Sequence, residues 1–254
     1  MLAELLTTEL YVFLMLFVRI GTAIMVMPGF GERYVPTFVR LPIALGVTMA
    51  LAPLLGASVP AMPNAPISLL LLIAGEVGIG LLIGGLARLI TSALHVAGTV
   101  IAFKSGLAYA LTMDPSQGVQ GALVASFLSI LGVVVIFALS LHFLMLRAIA
   151  DSYVLFVPGQ LPPMGDFTDL AVRVVAGSFA MGIQLSAPFI VYAMIFNISL
   201  GVMARLMPAL PFFFVVMPLQ IWVAFGMLGV TIAVIVEYFA GYFESQIVEL
   251  LILQ

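Results

Sequence analysis

Long apolar runs alternate with short polar or proline-rich segments along this chain, and each run predicts a helix. About 20 apolar residues are enough for a helix to cross ~30 Å of hydrocarbon. The first predicted helices cover about Leu5–Met27, Leu41–Leu55, Ile67–Ile90, Thr91–Ala108 and Ala122–Ile149. The most polar connection, residues 151–173, follows the last of these helices, and no soluble domain interrupts the series. The pattern therefore predicts one all-α, multi-helix domain over residues 1–254.

Two C-terminal runs are too long for simple membrane-spanning helices. Val174–Ala204 and Leu206–Val236 each hold 31 residues without an acidic or basic side chain. A straight helix of that length would measure about 46 Å, which exceeds the hydrocarbon core by about half. Proline removes a backbone donor and clashes with the preceding turn. The runs contain Pro188, Pro208, Pro211 and Pro218. We therefore expect broken, Pro-kinked helical hairpins, with two tilted and kinked helices as the alternative, and six main spans in all.

Composition places the chain in a membrane. Hydrophobic residues make up 64% of the 254 residues, and only 7% are charged, against about 25% in a typical soluble domain. The mean hydropathy is +1.32. Disorder requires low hydrophobicity and high charge, and nucleic-acid binding requires clustered Lys and Arg. Eight dispersed basic residues and a net charge of −3 do not supply such a cluster. The sequence predicts a multi-pass integral membrane protein that contacts lipid, or a chain buried inside a larger membrane assembly, and it predicts no binding of nucleic acid.

The residues needed for catalysis or metal binding are sparse. The two histidines, His95 and His142, are 47 positions apart, and neither has a second ligand at metal-binding spacing. The absence of cysteine removes thiolate catalysis and Cys-ligated metals. The chain also lacks a Gly-Lys-Ser/Thr phosphate loop. We expect no catalytic residue, metal or cofactor, and no enzymatic activity.

Ionisable side chains within an apolar helix are costly and are usually functional. Glu76 and Arg88, 12 positions apart, lie on the same broad face of the third predicted helix, and His95 follows seven positions later. A proton relay would use such a row. The alternatives are basic residues that snorkel at helix ends, a capping role, or a contact between subunits.

Glycines cluster in the same helix at Gly75, Gly78, Gly80 and Gly84. The Gly80-x-x-x-Gly84 spacing allows a neighbouring helix backbone to approach closely. We expect this cluster to serve helix packing or assembly. The pattern indicates close packing without identifying the partner helix.

Short motifs follow one another in a fixed order over about 200 residues. They are Arg19-Ile-Gly21, Pro28-Gly-Phe-Gly31, Val35-Pro36, Arg40, Gly75-Glu76-Val-Gly78-Ile-Gly80, Ala97-Gly98, Gly106-Leu107, Asp114-Pro115, His142, Asp151-Ser152, Pro158-Gly159, Ala187-Pro188, Asn197, Leu200-Gly201, Arg205-Leu-Met-Pro208, Pro218 and Gly226. In their order and spacing the chain resembles the flagellar biosynthetic protein FliR family, including its type III injectisome counterparts. It departs from the family at Ser140-Leu141, where a Gly-Gly or Asn-Gly pair is common. A second departure is Ala209-Leu210-Pro211, which follows Pro208 where family members often have a polar pair.

The resemblance implies a subunit of the type III protein export gate in the bacterial inner membrane, at the flagellar basal body. Family members assemble with FliP and FliQ into a helical, channel-forming complex that works with FlhA-like and FlhB-like components. Unfolded flagellar proteins are the substrates. A heterologous interface that does not close generates a helix of subunits, which suits this arrangement. Glu76, Arg205 and Pro208 join the four glycines as expected packing or assembly residues.

The loop Gly106–Gly118 is the expected channel plug. Its first half carries the apolar residues Leu107, Tyr109, Leu111 and Met113, and Asp114 and Pro115 fix a turn in its second half. An apolar constriction can close a conduit by dewetting without binding the substrate strongly. The resemblance implies the same role, because the matching loop of FliR relatives lies inside the channel. An ordinary connecting turn is the alternative.

Two alternative functions, each from another class of protein, remain open at this point. Broken helices, glycine packing and a few intramembrane charges also describe secondary transporters of small solutes. Transporters usually contain an internal repeat, and only Val26-Met27-Pro28 and Val216-Met217-Pro218 match each other here. A purely structural membrane subunit without a conduit is the other reading. The resemblance also leaves an injectisome export gate open beside the flagellar one.

Overall fold

Helices make up 87% of the described part of the chain, which contains no strand. The computed structural model describes residues 2–106, 123–159, 164–207 and 212–252. Within these ranges lie seven α-helices and a short 3-10 turn at Gly56–Ser58. The helices are α1 (Leu2–Val26), α2 (Thr37–Leu55), α3 (Pro66–Lys104), α4 (Leu123–Ala138), α5 (His142–Leu155), α6 (Met164–Leu206) and α7 (Phe212–Ile252). The all-α expectation is confirmed.

Five described segments are long and apolar enough to cross a membrane. They are Thr8–Val26, Thr37–Ser58, Pro66–Lys104, Thr168–Leu206 and Pro218–Leu250. Helices α4 and α5 supply a sixth if this broken pair counts as one span. The count agrees with the six spans expected from the sequence.

Three predicted boundaries are wrong. Thr91–Ala108 is not a separate helix, because α3 continues through residue 91 for 39 residues in all. Neither Pro nor paired Gly interrupts residues 88–104, and the charged Arg88 is exposed, so nothing there stops the helix. The predicted helix Ala122–Ile149 is instead interrupted at residues 139–141, between α4 and α5. The polar connection is shorter than residues 151–173, since α5 extends to Leu155 and α6 begins at Met164.

Proline does not end the two long C-terminal helices. Helix α6 continues through Pro188 and α7 through Pro218, so the predicted breaks at these two positions are wrong. One proline removes one backbone donor, which is a small loss in helices of 43 and 41 residues. The interruption between α4 and α5 lies at Ser140, a non-glycine residue with a left-handed φ of 60°. Pro208 and Pro211 lie outside the described residues.

The described helices form two compact units. The first comprises residues 1–90, 139–174 and 244–254. In it, α1 packs on α2, and α1 buries Met15, Leu16, Ile20 and Ile24 almost completely. The single-domain expectation stays a prediction.

The second unit comprises residues 91–138 and 175–243. Its helices pack closely at glycines. A Cβ added at Gly98 of α3 would lie 2.7 Å from the backbone nitrogen of Ala125 in α4. One added at Gly182 of α6 would lie 2.9 Å from the carbonyl oxygen of Ala93 in α3. Phe189, Phe239 and Phe243 are fully buried in this unit.

Candidate assembly site

A buried ion pair joins α1 to α3 in the first unit. The Nε of Arg19 lies 2.5 Å from Oε2 of Glu76, and Nη2 of Arg19 donates to Oε1 of Glu76 at 3.0 Å. The two side chains are 0% and 2% exposed. The fork of the guanidinium therefore matches both carboxylate oxygens, which is the geometry that makes such pairs strong and specific.

The remaining donors of Arg19 reach the C-terminal end of α5. Nη1 donates to the carbonyl oxygen of Ser152 at 3.1 Å and to its hydroxyl at 3.4 Å, and Nη2 donates to the carbonyl oxygen of Phe156 at 3.0 Å. The guanidinium carbon lies 4.1 Å from the centre of the Tyr153 ring, within cation–π range. All five N–H donors of a guanidinium are thus used. Arg19 ties three helices of the first unit together.

The Arg19–Glu76 pair is suited to holding helices in register. Taking two charges out of water costs several kcal/mol per ion, and good geometry with further hydrogen bonds is needed to offset that cost. Arg19 has both. Removing either member would leave the other charge buried among apolar side chains.

The three ionisable residues of the predicted row have separate surroundings. Glu76 pairs with Arg19, whereas Arg88 lies 3.7 Å from the Glu32 carboxylate and is 45% exposed. His95 is exposed, and its Nδ1 lies 3.5 Å from Oγ of Ser129. This arrangement does not favour a relay from Glu76 through Arg88 to His95.

Gly80 and Gly84 lie directly against α1. A Cβ at Gly80 would collide with Oγ1 of Thr22 and would lie 2.5 Å from the carbonyl oxygen of Arg19. A Cβ at Gly84 would lie 2.6 Å from the carbonyl oxygen of Ala23. The close approach that the glycine spacing predicts therefore occurs within this chain, one and two turns beyond the ion pair.

Two other predicted packing residues, Gly75 and Gly78, face open space. A Cβ at Gly75 or at Gly78 would have no neighbour within 4 Å. Arg205 is exposed in the last turn of α6, and Pro208 lies outside the described residues. Gly75 and Gly78 thus make no close contact in the part of this chain that the structure describes.

Only the first residue of the predicted plug loop is described. Gly106 follows α3 with φ of +79°, a conformation that glycine adopts without strain. The Gln220 side chain donates to the carbonyl oxygen of Lys104 at 3.0 Å, and a Cβ at Gly106 would lie 3.3 Å from that side chain. Leu107, Tyr109, Leu111, Met113, Asp114 and Pro115 lie outside the described residues.

The sequence analysis gave Arg19 no role beyond a motif position. The signal was present, because Arg19 is the only charged residue between Glu9 and Glu32 in an apolar run. The rule that intramembrane charges are functional by default applies to it as much as to Glu76. Ser152 and Phe156 contribute backbone carbonyl oxygens. The sequence does not reveal such contacts, because every residue type has a carbonyl oxygen.

A metal site does not emerge from the described residues either. No group of three or more His, Asp or Glu side chains among them could hold a metal ion.

Comparison with known proteins matches most of the chain. Residues 10–246 match a protein family described as bacterial export proteins, family 1. Flagellar biosynthetic protein FliR from Caulobacter vibrioides is 37% identical over 225 residues, which cover 89% of this chain and 90% of that protein. The FliR of Bacillus subtilis is 31% identical, covering 88% of this chain and 86% of its own length. The FliR of Escherichia coli is 27% identical, with 92% and 88% covered.

Proposed function

Since the chain belongs to the family of bacterial export proteins that includes FliR, we propose that it is a subunit of the flagellar type III protein export gate. It forms, with FliP-like and FliQ-like membrane subunits, the channel that passes unfolded flagellar proteins during flagellum assembly. It lies in the bacterial inner membrane at the flagellar basal body, beside FlhA-like and FlhB-like components.

The single observation that carries this proposal is the end-to-end match to FliR. The relative from Caulobacter vibrioides covers about nine-tenths of both chains, with 89% and 90% matched. A shared domain embedded in a different protein would leave a large part of one chain unmatched. The flagellar names of the relatives support the flagellar gate over an injectisome gate.

Exposed apolar surface supports a hetero-oligomer. On α6, large apolar side chains are exposed over its last three turns and more, at Met194, Ile195, Ile198, Val202 and Leu206. Such a surface requires cover by lipid or by protein. The 43 residues of α6 correspond to about 64 Å of helix, about twice the hydrocarbon thickness. Partner subunits therefore cover part of it.

The uncontacted glycines mark a surface for a partner helix. Gly75 and Gly78 are one turn apart in α3 and have open space where a Cβ would project. Gly80 and Gly84 serve the contact with α1, which fixes the helix that carries Gly75 and Gly78. Arg205, exposed in the last turn of α6, and Pro208 serve the same assembly.

The loop from Gly106 to Pro115 closes the channel at rest. Its apolar residues Leu107, Tyr109, Leu111 and Met113 form the seal, and Asp114 and Pro115 fix the turn behind it. The left-handed Gly106 and the Gln220 hydrogen bond to Lys104 hold the loop where it leaves α3.

Co-expression tests the proposed subunit role. The chain alone should be poorly stable and protease-sensitive, because its helices are apolar around most of their circumference. With FliP-like and FliQ-like chains from the same bacterium it should purify as a stable, protease-resistant complex. A monodisperse, protease-resistant monomer that binds a small solute would instead identify a secondary transporter.

A further inference from the structure

We propose that three arginines at one end of the first unit bind the phosphate of an anionic phospholipid. They are Arg33, Arg40 and Arg88, and they are called the arginine cluster. The ligand is a membrane lipid of net negative charge, such as phosphatidylglycerol. This lipid site goes beyond the export function and does not depend on it.

Two of the arginines meet at one residue, Glu32. Arg40 donates from Nη2 to the carbonyl oxygen of Glu32 and from Nε to the carbonyl oxygen of Val35, the latter at 2.9 Å. Nη2 of Arg88 lies 3.7 Å from the Glu32 carboxylate, and Nη1 of Arg88 donates to the carbonyl oxygen of Val26 at 3.3 Å. The turn between α1 and α2 therefore brings together two guanidinium groups that are far apart in sequence.

The third arginine, Arg33, follows Glu32 directly and is exposed. Its guanidinium makes no hydrogen bond or ion pair with any residue in the described ranges. Three positive charges thus stand against the single negative charge of Glu32. Because the planar guanidinium fork matches phosphate oxygens, an excess of positive charge in this form favours a phosphate ligand.

The arginine cluster lies at the level where the spans of the first unit end. The turn that carries Arg33 joins the spans Thr8–Val26 and Thr37–Ser58. On α3, which begins at Pro66, the rise to Arg88 is about 33 Å, close to the ~30 Å thickness of the hydrocarbon core. The cluster is therefore at the depth of the lipid phosphates.

An apolar stripe runs from the cluster along the exposed face of α2. Phe38, Leu41, Leu45 and Met49 recur at helical spacing and are all exposed. From Phe38 to Met49 the helix rises about 16 Å, which is about half of the hydrocarbon thickness and so one leaflet. Tyr34 is also exposed beside the cluster, and tyrosine is enriched at membrane interfaces. A phosphate site at the end of a stripe one leaflet long fits a phospholipid.

The opposite ends of α2 and α3 have a different character. The connection between them, residues 56–66, contains no charged side chain. Basic residues concentrate on the cytoplasmic side of membrane proteins, so the arginine cluster faces the cytoplasmic leaflet. Anionic lipids give that leaflet a negative surface potential, which favours the same ligand.

Quenching of a fluorophore by brominated lipids tests the proposal. The chain contains no native cysteine, so one label is placed beside the cluster at Thr37→Cys, exposed at the start of α2. The matched control is Ala65→Cys, exposed in the connection at the opposite end. The labelled chain is assembled with cysteine-free partner subunits in vesicles of phosphatidylcholine and phosphatidylglycerol, and each lipid is brominated in turn.

At Thr37→Cys, phosphatidylglycerol should be preferred over phosphatidylcholine by at least about tenfold, because each basic residue near a membrane surface contributes about a fivefold preference for anionic lipid. At Ala65→Cys the two lipids should quench equally. Equal quenching at Thr37→Cys would overturn the proposal. The absence of quenching by either lipid there would show that a protein covers the cluster, and it would also overturn the proposal.

Variants of Arg33 assign the preference to the cluster. Arg33→Gln should lower the preference at Thr37→Cys about fivefold, and Arg33→Lys should keep most of it, because the charge remains. Arg147→Gln is the matched control, since Arg147 is an exposed arginine of α5 in the same unit. A wild-type preference in Arg33→Gln, and also in Arg33→Gln combined with Arg88→Gln, would overturn the proposal.

Inorganic phosphate distinguishes a soluble anion from a lipid headgroup. At millimolar concentration it should leave the lipid preference unchanged relative to chloride at equal ionic strength. Loss of the preference in phosphate would assign the cluster to a soluble anion and overturn the lipid site. Failure of the chain to assemble with its partner subunits would refute the proposed function alone, because the same quenching can be measured on the chain by itself in vesicles.

Discussion

The guanidinium of Arg19 and the carboxylate of Glu76 form a bidentate pair in the interior of the first unit, with Nε and Oε2 2.5 Å apart. The two residues are 57 positions apart in sequence. Arg19 also binds two carbonyl oxygens at the end of α5. A single side chain thus sets the relative register of α1, α3 and α5, and the Tyr153 hydroxyl adds a buried hydrogen bond to the carbonyl oxygen of Leu16 between α5 and α1.

Glu76→Gln should destabilise the protein by about 3–5 kcal/mol, because it leaves the Arg19 charge buried without its counter-ion. The measurement is the temperature at which the purified export complex becomes protease-sensitive. Glu32→Gln is the matched control, since the Glu32–Arg88 pair is partly exposed and such pairs contribute at most about 1 kcal/mol. Equal losses in the two variants would refute the role given to the buried pair.

Replacing both members of the pair separates the effect of an unpaired charge on stability from the effect of lost packing. Arg19→Met combined with Glu76→Leu removes both charges and should be less damaging than Glu76→Gln alone, because no unpaired charge remains. Recovery should be partial, since the carbonyl oxygens of Ser152 and Phe156 lose their donor. A double variant as unstable as the sum of its single variants would contradict this explanation.

Gly80→Ala and Gly84→Ala should each lower stability by about 1–3 kcal/mol, because the added methyl group collides with the backbone of α1. Gly85→Ala is the control in the same helix. Gly85 has open space for the methyl group, so the variant should be neutral or gain up to about 1 kcal/mol of helix propensity. The amount of protease-resistant chain in the membrane reports both outcomes, and three equal values would refute the packing assignment. Leucine at Gly80 or Gly84 should abolish assembly.

Ser140→Gly should stabilise the chain by up to about 1 kcal/mol. Ser140 adopts a φ of 60°, which is strained for residues with a Cβ and free of strain for glycine. Ala138→Gly, at the end of α4, is the control and should cost up to about 1 kcal/mol. The thermal transition of the complex distinguishes the two, and a loss of stability in Ser140→Gly would contradict the left-handed conformation.

Deleting Leu107–Met113 while keeping Asp114 and Pro115 should leave assembly intact and make the membrane leak ions. The deletion removes the proposed seal and retains the turn and the Gly106 anchor. Conductance across vesicles that contain the assembled complex is the measurement. Normal assembly with conductance at the closed-channel level would refute the plug.

Hydropathy alone predicted the class of fold and the number of spans, because an apolar run of sufficient length has few alternatives to a helix. The ends of the helices were harder to predict. Arg88 suggested the end of a span, yet it is exposed beside Glu32 and α3 continues past it. Pro188 suggested a break, yet a long helix tolerates the loss of one donor.

The candidate site, too, could be predicted only in part from the sequence. The spacing of Gly80 and Gly84 predicted close helix contact from sequence, whereas the helix they contact depends on tertiary structure. Arg19 is visible in the sequence as an isolated charge. Its partner Glu76 could not be chosen over another acidic residue such as Glu32 from helix periodicity, because the pair forms between helices. The left-handed φ of Ser140 could not be predicted from the sequence, because serine rarely adopts it.

Secretion of flagellar subunits by the bacterium that encodes this chain tests the central claim most directly. The claim is that the chain is an indispensable subunit of the flagellar export gate. Removing the chain should abolish the appearance of flagellar subunits in the culture medium, together with motility. Re-expression of the wild-type chain should restore both, and Glu76→Gln should restore them less. Secretion at the parental level in the strain that lacks the chain would contradict the account.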